Sequence, residues 1–385
     1  MSLGVMFLTS VYWSIKYQKA NWSWPRLGLK WLWAVWVAVI AGGLLFNPVK
    51  GDWSDYFFEF RWIIDFYVMI LFFSVFKDDS RLIKVLSFIL TIASACAVVF
   101  YFIGFNPLSE TLADRAAHLA DWSRWRAGGL YDHAMPLAHS YGPILLVFVG
   151  LLLVQWEKRK ELPVWVYSAV ALTGLTVLLT LTRGVWIGVA TGLVVMGFFI
   201  NRKLGALIVG GLLVIGLTIF ASSETIRNRV MITVNMTNQG DHERLTLWRT
   251  NWEMIKDHPL IGTGYGQNKA RLREYYDRLG IDKGYFEGHA HNQYIHFLAG
   301  TGFVGLLCYL IFIGYGLRAS IKTYKLSAAL SKTKGLALGC IGALVSFYVG
   351  SLTEANFSIG KNRYMILFIM AWGVALYLQE QKKKS

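Results

Sequence analysis

The residues best suited to chemistry cluster in Gly288–Gly305, GHAHNQYIHFLAGTGFVG, where a histidine-rich approach turns within a few residues into an apolar run. His291-Asn292 is followed by nine residues, then Gly302, two more residues and Gly305. Imidazole titrates near neutrality, so His291 suits a general base or a hydrogen-bonding partner for a substrate hydroxyl. His289 and His291 could also form a metal pair. In a helix, however, residues two apart point about 200° from each other. His291 would then share a face with Ile295, and His296 lies five residues along. No Cys or HExxH pattern accompanies them, so no metal site is expected. Interfacial packing is the alternative reading of the stretch.

Two arginines could supply an anion-binding partner. Arg183 sits in LTLTRGVWIG between two apolar runs. An arginine so flanked is costly without a partner, and its planar fork suits phosphate oxygens; snorkelling to the interface is the bland alternative. Arg244, in DHERLTLWRTNW, is expected to begin a helix one turn before Trp248, where the amino-terminal field favours anions. Arg124 and Arg126 are weaker candidates in a neighbouring segment. GTGYG resembles a phosphate cradle only loosely, because it lacks the lysine and hydroxyl pair of a P-loop.

The elements that must position these groups are membrane helices. The chain has 385 residues, 55% of them hydrophobic, a mean hydropathy of +0.44 and only 16% charged residues, against roughly 25% charged in soluble domains. Sixteen Trp and nineteen Tyr suit a chain with many membrane–water interfaces. Cys96, Cys308 and Cys340 fall in apolar runs without ligand spacing. The fold class is all-α and polytopic. Spans are expected at Leu3–Ile15, Trp31–Phe46, Trp62–Phe76, Val85–Phe105, Leu137–Trp156, Leu162–Leu181, Val185–Ile200, Leu204–Ala221, Phe297–Leu317, Gly335–Leu352 and Tyr364–Leu378. The spans themselves, and no cleavable signal peptide, are expected to direct insertion.

One set of alternate connections, 16–30, 77–84, 157–161, 201–203, 318–334 and 379–385, holds 20 of the 38 Lys and Arg but only 5 of the 23 Asp and Glu. That side is cytoplasmic by the positive-inside rule, and the net charge of +15 is a topology signal with no nucleic-acid partner implied. Eleven spans then put the amino terminus outside; without the short first span, Leu3–Ile15, it would lie inside. The expected organisation is an amino-terminal bundle over 1–221 with an outer loop at 106–136, a large helical loop at 222–296, and carboxyl-terminal helices with a basic tail over 297–385. Within the large loop, Leu245, Trp248, Trp252 and Ile255 recur at helical spacing, His258-Pro259 ends that helix, and Gly262, Gly264 and Gly266 form a turn. A second stripe follows at Leu272, Tyr275, Tyr276 and Leu279.

TRGVWIG, RLTLWRTNWEMIKDHPLIGTGYGQN and HAHNQYIHFLAGTGFVG resemble, in order, the signature stretches of the O-antigen ligase superfamily. His291, Asn292, Gly302 and Gly305 match its motif of His, Asn/Ser/Gln, nine residues, Gly, two residues and Gly/Thr/Tyr. Family members usually have twelve spans with both termini inside. The resemblance implies a metal-independent, cofactor-free glycosyltransferase of a bacterial inner membrane with its site facing the periplasm. Its partners would be an undecaprenyl-pyrophosphate-linked glycan donor, a lipid A–core acceptor and membrane lipids. Catalysis falls to His291, Arg183 and Arg244, with Asn292, His289, Trp248, Arg126, Arg124, Gly264 and Asn268 as secondary substrate-binding candidates. The superfamily also contains O-antigen polymerases, protein O-oligosaccharyltransferases and proteins once assigned to bicarbonate transport. The carrier reading is disfavoured, because Asp65 is the main ionisable group inside a span and transporters place their polar site near mid-bilayer.

Overall fold

The computed structural model describes residues 27–46, 61–75, 79–106, 126–222, 239–281 and 288–383, with residues 224, 227 and 231. Twelve α-helices and no strand occur among them. The helices are α1 Lys30–Phe46, α2 Trp62–Val75, α3 Asp79–Ile103, α4 Ala134–Val154, α5 Val164–Leu179, α6 Arg183–Ile200 and α7 Arg202–Ser222. They continue with α8 Gln239–Asp257, α9 Leu272–Leu279, α10 Gln293–Leu326, α11 Lys332–Gly350 and α12 Gly360–Lys382. Six of them (α3, α4, α6, α7, α10 and α11) are long and apolar enough to cross a membrane, and α1, α2 and α5 are shorter apolar helices. Ten of the eleven expected spans coincide with helices; Leu3–Ile15 lies outside the described residues.

Small residues let α11 pack closely on α4 and α6. A Cβ at Gly150 would overlap the backbone of Gly339, and one at Gly188 would overlap the Ser346 carbonyl. Such close seams replace the hydrophobic drive that lipid removes. The connections sort to two ends. At one, Lys332 Nζ donates to Ser80 Oγ at 2.9 Å and Tyr324 Oη to the Phe199 carbonyl at 3.1 Å. At the other, Arg126 Nε donates to the Thr180 carbonyl at 2.7 Å, Asn292 Nδ2 to the Leu352 carbonyl at 3.1 Å, and Lys361 pairs with Asp132 at 2.8 Å. Among the described residues, the basic connections around Ser80, Asn201 and Lys332 thus lie opposite the histidine-rich stretch.

A break in α10 joins the large loop to the bundle. Gly302 has φ 64° and ψ −172°, a region essentially reserved for glycine. The residues 259–264 fit against the opened turn: Thr263 and Gly264 amides donate to the Ala299 and Gly300 carbonyls at 2.9 and 3.0 Å, while Phe303 and Val304 amides donate to Pro259 and Leu260 carbonyls at 2.8 and 3.2 Å. A Cβ on Gly302 would overlap Leu260. The GTGYG turn, with positive φ at Gly262, Gly264 and Gly266, is therefore a structural insert. Below it Trp36, Tyr265, Phe297, Tyr309 and Phe357 form an aromatic floor, with Phe297 and Tyr309 stacked at 4.3 Å.

Two expectations about α8 are corrected. It ends at Asp257, before His258-Pro259, as the proline requires. Its buried face, however, is Leu247, Thr250, Asn251, Met254 and Ile255, whereas Leu245 and Trp252 are 39% and 51% exposed. Apolar periodicity alone cannot distinguish a core face from one turned to lipid or water, and here the core selects the face with Thr250 and Asn251. Helix α8 also begins at Gln239, so Arg244 lies beyond the first turn, where the amino-terminal field has largely decayed. Helix α9 buries Leu272, Tyr275 and Tyr276 as expected and ends at Gly280 with φ 65°.

Candidate active site

The residues 288–292 are not helical, which overturns the expected geometry of the histidines. Asn292 caps α10, its Oδ1 accepting from the Tyr294 and Ile295 amides at 3.0 and 3.1 Å. His291 precedes the cap with φ 45°, a left-handed conformation of the kind that concentrates at functional sites. The rings of His289 and His291 consequently stand with centroids 4.5 Å apart and do not diverge.

Both rings converge on Glu354, which the sequence reading missed. This carboxylate, its side chain 1% exposed, accepts from His289 Nε2 through Oε1 and from His291 Nδ1 through Oε2 at 2.9 Å. The Ala355 amide donates to Oε1 at 3.0 Å. Burial pushes the Glu354 carboxyl up, but hydrogen bonds and charge from the two histidines outweigh it and hold the group below the ordinary carboxylate range. The only available signal was one acid, in SLTEANFS, between two apolar helices at the same end of the bundle as the histidines.

The 351–358 turn is fastened to the histidine segment residue by residue. The Gln293 amide donates to the Ser351 carbonyl at 2.8 Å, and Gln293 Oε1 accepts from the Phe357 and Ser358 amides at 2.8 and 3.1 Å. From within the bundle, Asn356 Nδ2 bonds His139 Nδ1 at 3.2 Å and the Phe347 carbonyl at 3.0 Å. Trp248 Nε1 on α8 donates to the Ala290 carbonyl, between the two histidines, at 2.7 Å. Trp248 thus holds the histidine segment, and Arg244, one turn earlier, shares its face.

Arg183 stands exposed at the amino terminus of α6, a position whose partial positive charge adds to its own. Gly184 approaches so closely that a Cβ there would overlap Thr353 Oγ1. The first turn of α6 therefore abuts the residue before Glu354. Arg126 braces this terminus, bonding the Thr180 carbonyl and Thr182 Oγ1 at 2.7 Å each. Arg124 lies outside the described residues. Asn268 is buried, with its amide on Asn251 and His296 at 2.8 Å each, and Gly264 packs on Gly43; both build the scaffold beneath the site. A cavity of about 240 Å³ opens beside His289, lined also by Lys269, Tyr265, His296, Thr301 and Ser358.

This arrangement permits two chemistries. Glu354 can hold His291 Nδ1 as the protonated nitrogen, making Nε2 the basic one. Alternatively His289, His291 and Glu354 could hold a cation, since their ligand atoms lie within 4.8 Å of one another and two His with one Glu is a zinc-type set. The helical argument against a metal pair no longer applies. Residues 168–310 match the family model described as O-antigen ligase, a segment that includes Arg183, Arg244 and His291 but not Glu354. No curated protein matches the chain significantly.

Proposed function

Because residues 168–310 match the family model described as O-antigen ligase, we propose that the chain is an inner-membrane glycosyltransferase. In this reading it moves a polysaccharide from undecaprenyl pyrophosphate onto the lipid A–core at the periplasmic face, during lipopolysaccharide biosynthesis. The observation that carries the proposal is the seating of His291 on buried Glu354, one residue from where the Arg183 end of α6 abuts Thr353. A base and an anion site side by side are what displacement at a sugar–pyrophosphate bond requires.

His291 Nε2 takes the proton of the acceptor hydroxyl while that oxygen attacks the anomeric carbon. The imidazolium that forms is balanced by Glu354, as the acid balances histidine in a catalytic triad. Arg183 and Arg244 neutralise the departing pyrophosphate, with the α6 terminus adding its dipole. Direct displacement gives inversion. The glycosyl–pyrophosphate bond that breaks carries the driving force, so no nucleotide enters, and the two arginines take up the leaving-group charge that a metal would otherwise neutralise. The cavity beside His289 is the natural seat for an acceptor sugar.

Ionisable groups buried inside the helices support interfacial chemistry over transport. Asp65, His139 and Arg363 fall within the first two turns of their helices at the histidine end and Glu380 in the last turn of α12 at the other end, none of them at mid-bilayer. A deletion strain tests the ligase reading against a polymerase. Loss of a ligase leaves finished polymer on undecaprenyl carriers. Single repeats attached to the core would instead identify a polymerase and overturn the proposal.

A further inference from the structure

We propose that the pocket at the basic end of the bundle, between α3, α5 and the start of α11, binds the phosphate headgroup of an anionic diacyl phospholipid. The pocket encloses about 270 Å³ and lies opposite the candidate active site. Its cations are Arg81, Lys84 and Lys332, set against one carboxylate, Glu161. Arg81 and Lys84 are exposed three residues apart on one face of α3. Lys332 is held across from them by its bond to Ser80 Oγ at 2.9 Å. Three converging cations over one acid leave an excess positive charge that suits a phosphodiester, and such basic pockets between membrane helices take acidic lipid headgroups.

A free phosphate would satisfy the cations equally well, but the surroundings favour a lipid. Immediately beyond the pocket α3 exposes Val85, Phe88 and Ile89, and α5 exposes Val164 and Tyr167. The two helices are tied together beneath this seam, with Thr91 Oγ1 bonding the Trp165 carbonyl at 3.2 Å and Ser94 bonding Thr173 at 2.9 Å. Phe88 and Trp165 meet edge to face at 4.8 Å. A cationic pocket thus continues into an apolar seam directed along the membrane helices. That is the shape of a headgroup with its acyl chains.

The test uses the full-length protein in neutral detergent, with dioleoyl phosphatidylglycerol, dioleoyl phosphatidylcholine and inorganic phosphate as probes. Lipid retention is read by native mass spectrometry and thermal unfolding. Phosphatidylglycerol should be retained and raise the unfolding temperature, while phosphatidylcholine and phosphate should do neither. The Lys84→Ala/Lys332→Ala pair should weaken phosphatidylglycerol about 30-fold, from about 1 kcal/mol per surface cation. Lys334→Ala, a basic residue outside the pocket, should not weaken it. The exposed single variant Lys84→Gln, expected to weaken binding about fivefold by the same measure, keeps the test decisive if the double variant fails to fold. Equal stabilisation by phosphate would make this a free-anion site and overturn the proposal. Equal retention of phosphatidylcholine, or unaltered binding by the variants, would also overturn it.

Discussion

Replacing Gly302 with alanine tests whether the break in α10 is built into the fold. At φ 64° and ψ −172°, a side chain costs about 1–3 kcal/mol in backbone strain alone. The new Cβ would also overlap Leu260, so the 259–264 segment must move away or α10 must straighten. Either movement endangers the four backbone hydrogen bonds between 259–264 and 299–304. At about 0.5–1.5 kcal/mol each net, these add about 2–6 kcal/mol. A loss of at least about 3 kcal/mol is a large share of a stability of about 5–15 kcal/mol. The control is Gly314→Ala in the same helix, where an added Cβ meets nothing within 4 Å and should be neutral or stabilising by about 0.5–1 kcal/mol. Thermal unfolding of the purified proteins in detergent should separate the two variants clearly. If Gly302→Ala unfolds at the same temperature as Gly314→Ala, the reasoning about the break is wrong.

Arg183→Lys keeps a positive charge at the α6 terminus but loses the bidentate fork. Transfer should fall by an order of magnitude or more, and full activity would mean that the anion needs only a point charge. Chelation decides between the two chemistries open to the His289, His291 and Glu354 cluster: purified enzyme should keep its transfer rate in EDTA, and loss restored by a divalent ion would favour the cation site. The depressed Glu354 carboxyl makes an acid-side prediction. Its contribution to stability is fully present above the unfolded carboxylate value of about 4.3 and is lost as pH falls from there toward the lower folded value. Unfolding temperature measured down to pH 3.5 should therefore fall less steeply in Glu354→Gln than in the native protein; parallel curves would show that the carboxylate is not held as described.

Helix positions were legible because a membrane span needs a long apolar run, and charge asymmetry sorted the connections. His258-Pro259 and the Gly262–Gly266 turn were legible for local steric reasons. The histidine phase was not: Asn292 could be read as part of a helix or as its cap, and capping moves His289 and His291 out of the helix and brings their rings together. Arg244 was placed too near a helix start because polar residues before it gave no apolar rhythm, yet the helix extends back to Gln239. Glu354 escaped because its partners are 63 and 65 residues away, a separation no local pattern encodes. The insertion of 259–264 into α10 is invisible for the same reason, although Gly302 is its local trace.

The most direct measurement is the rate of glycan transfer by purified protein from a defined lipid-linked donor to candidate acceptors, for the native chain, His291→Ala, Glu354→Gln and the double variant. Loss of a general base costs about 100- to 10,000-fold, so His291→Ala should fall by that much while remaining folded. Glu354→Gln should lose less. The double variant should be no slower than His291→Ala, because Glu354 acts through the imidazole. Near-native transfer by His291→Ala would contradict the central claim that this histidine, seated on Glu354, activates the acceptor.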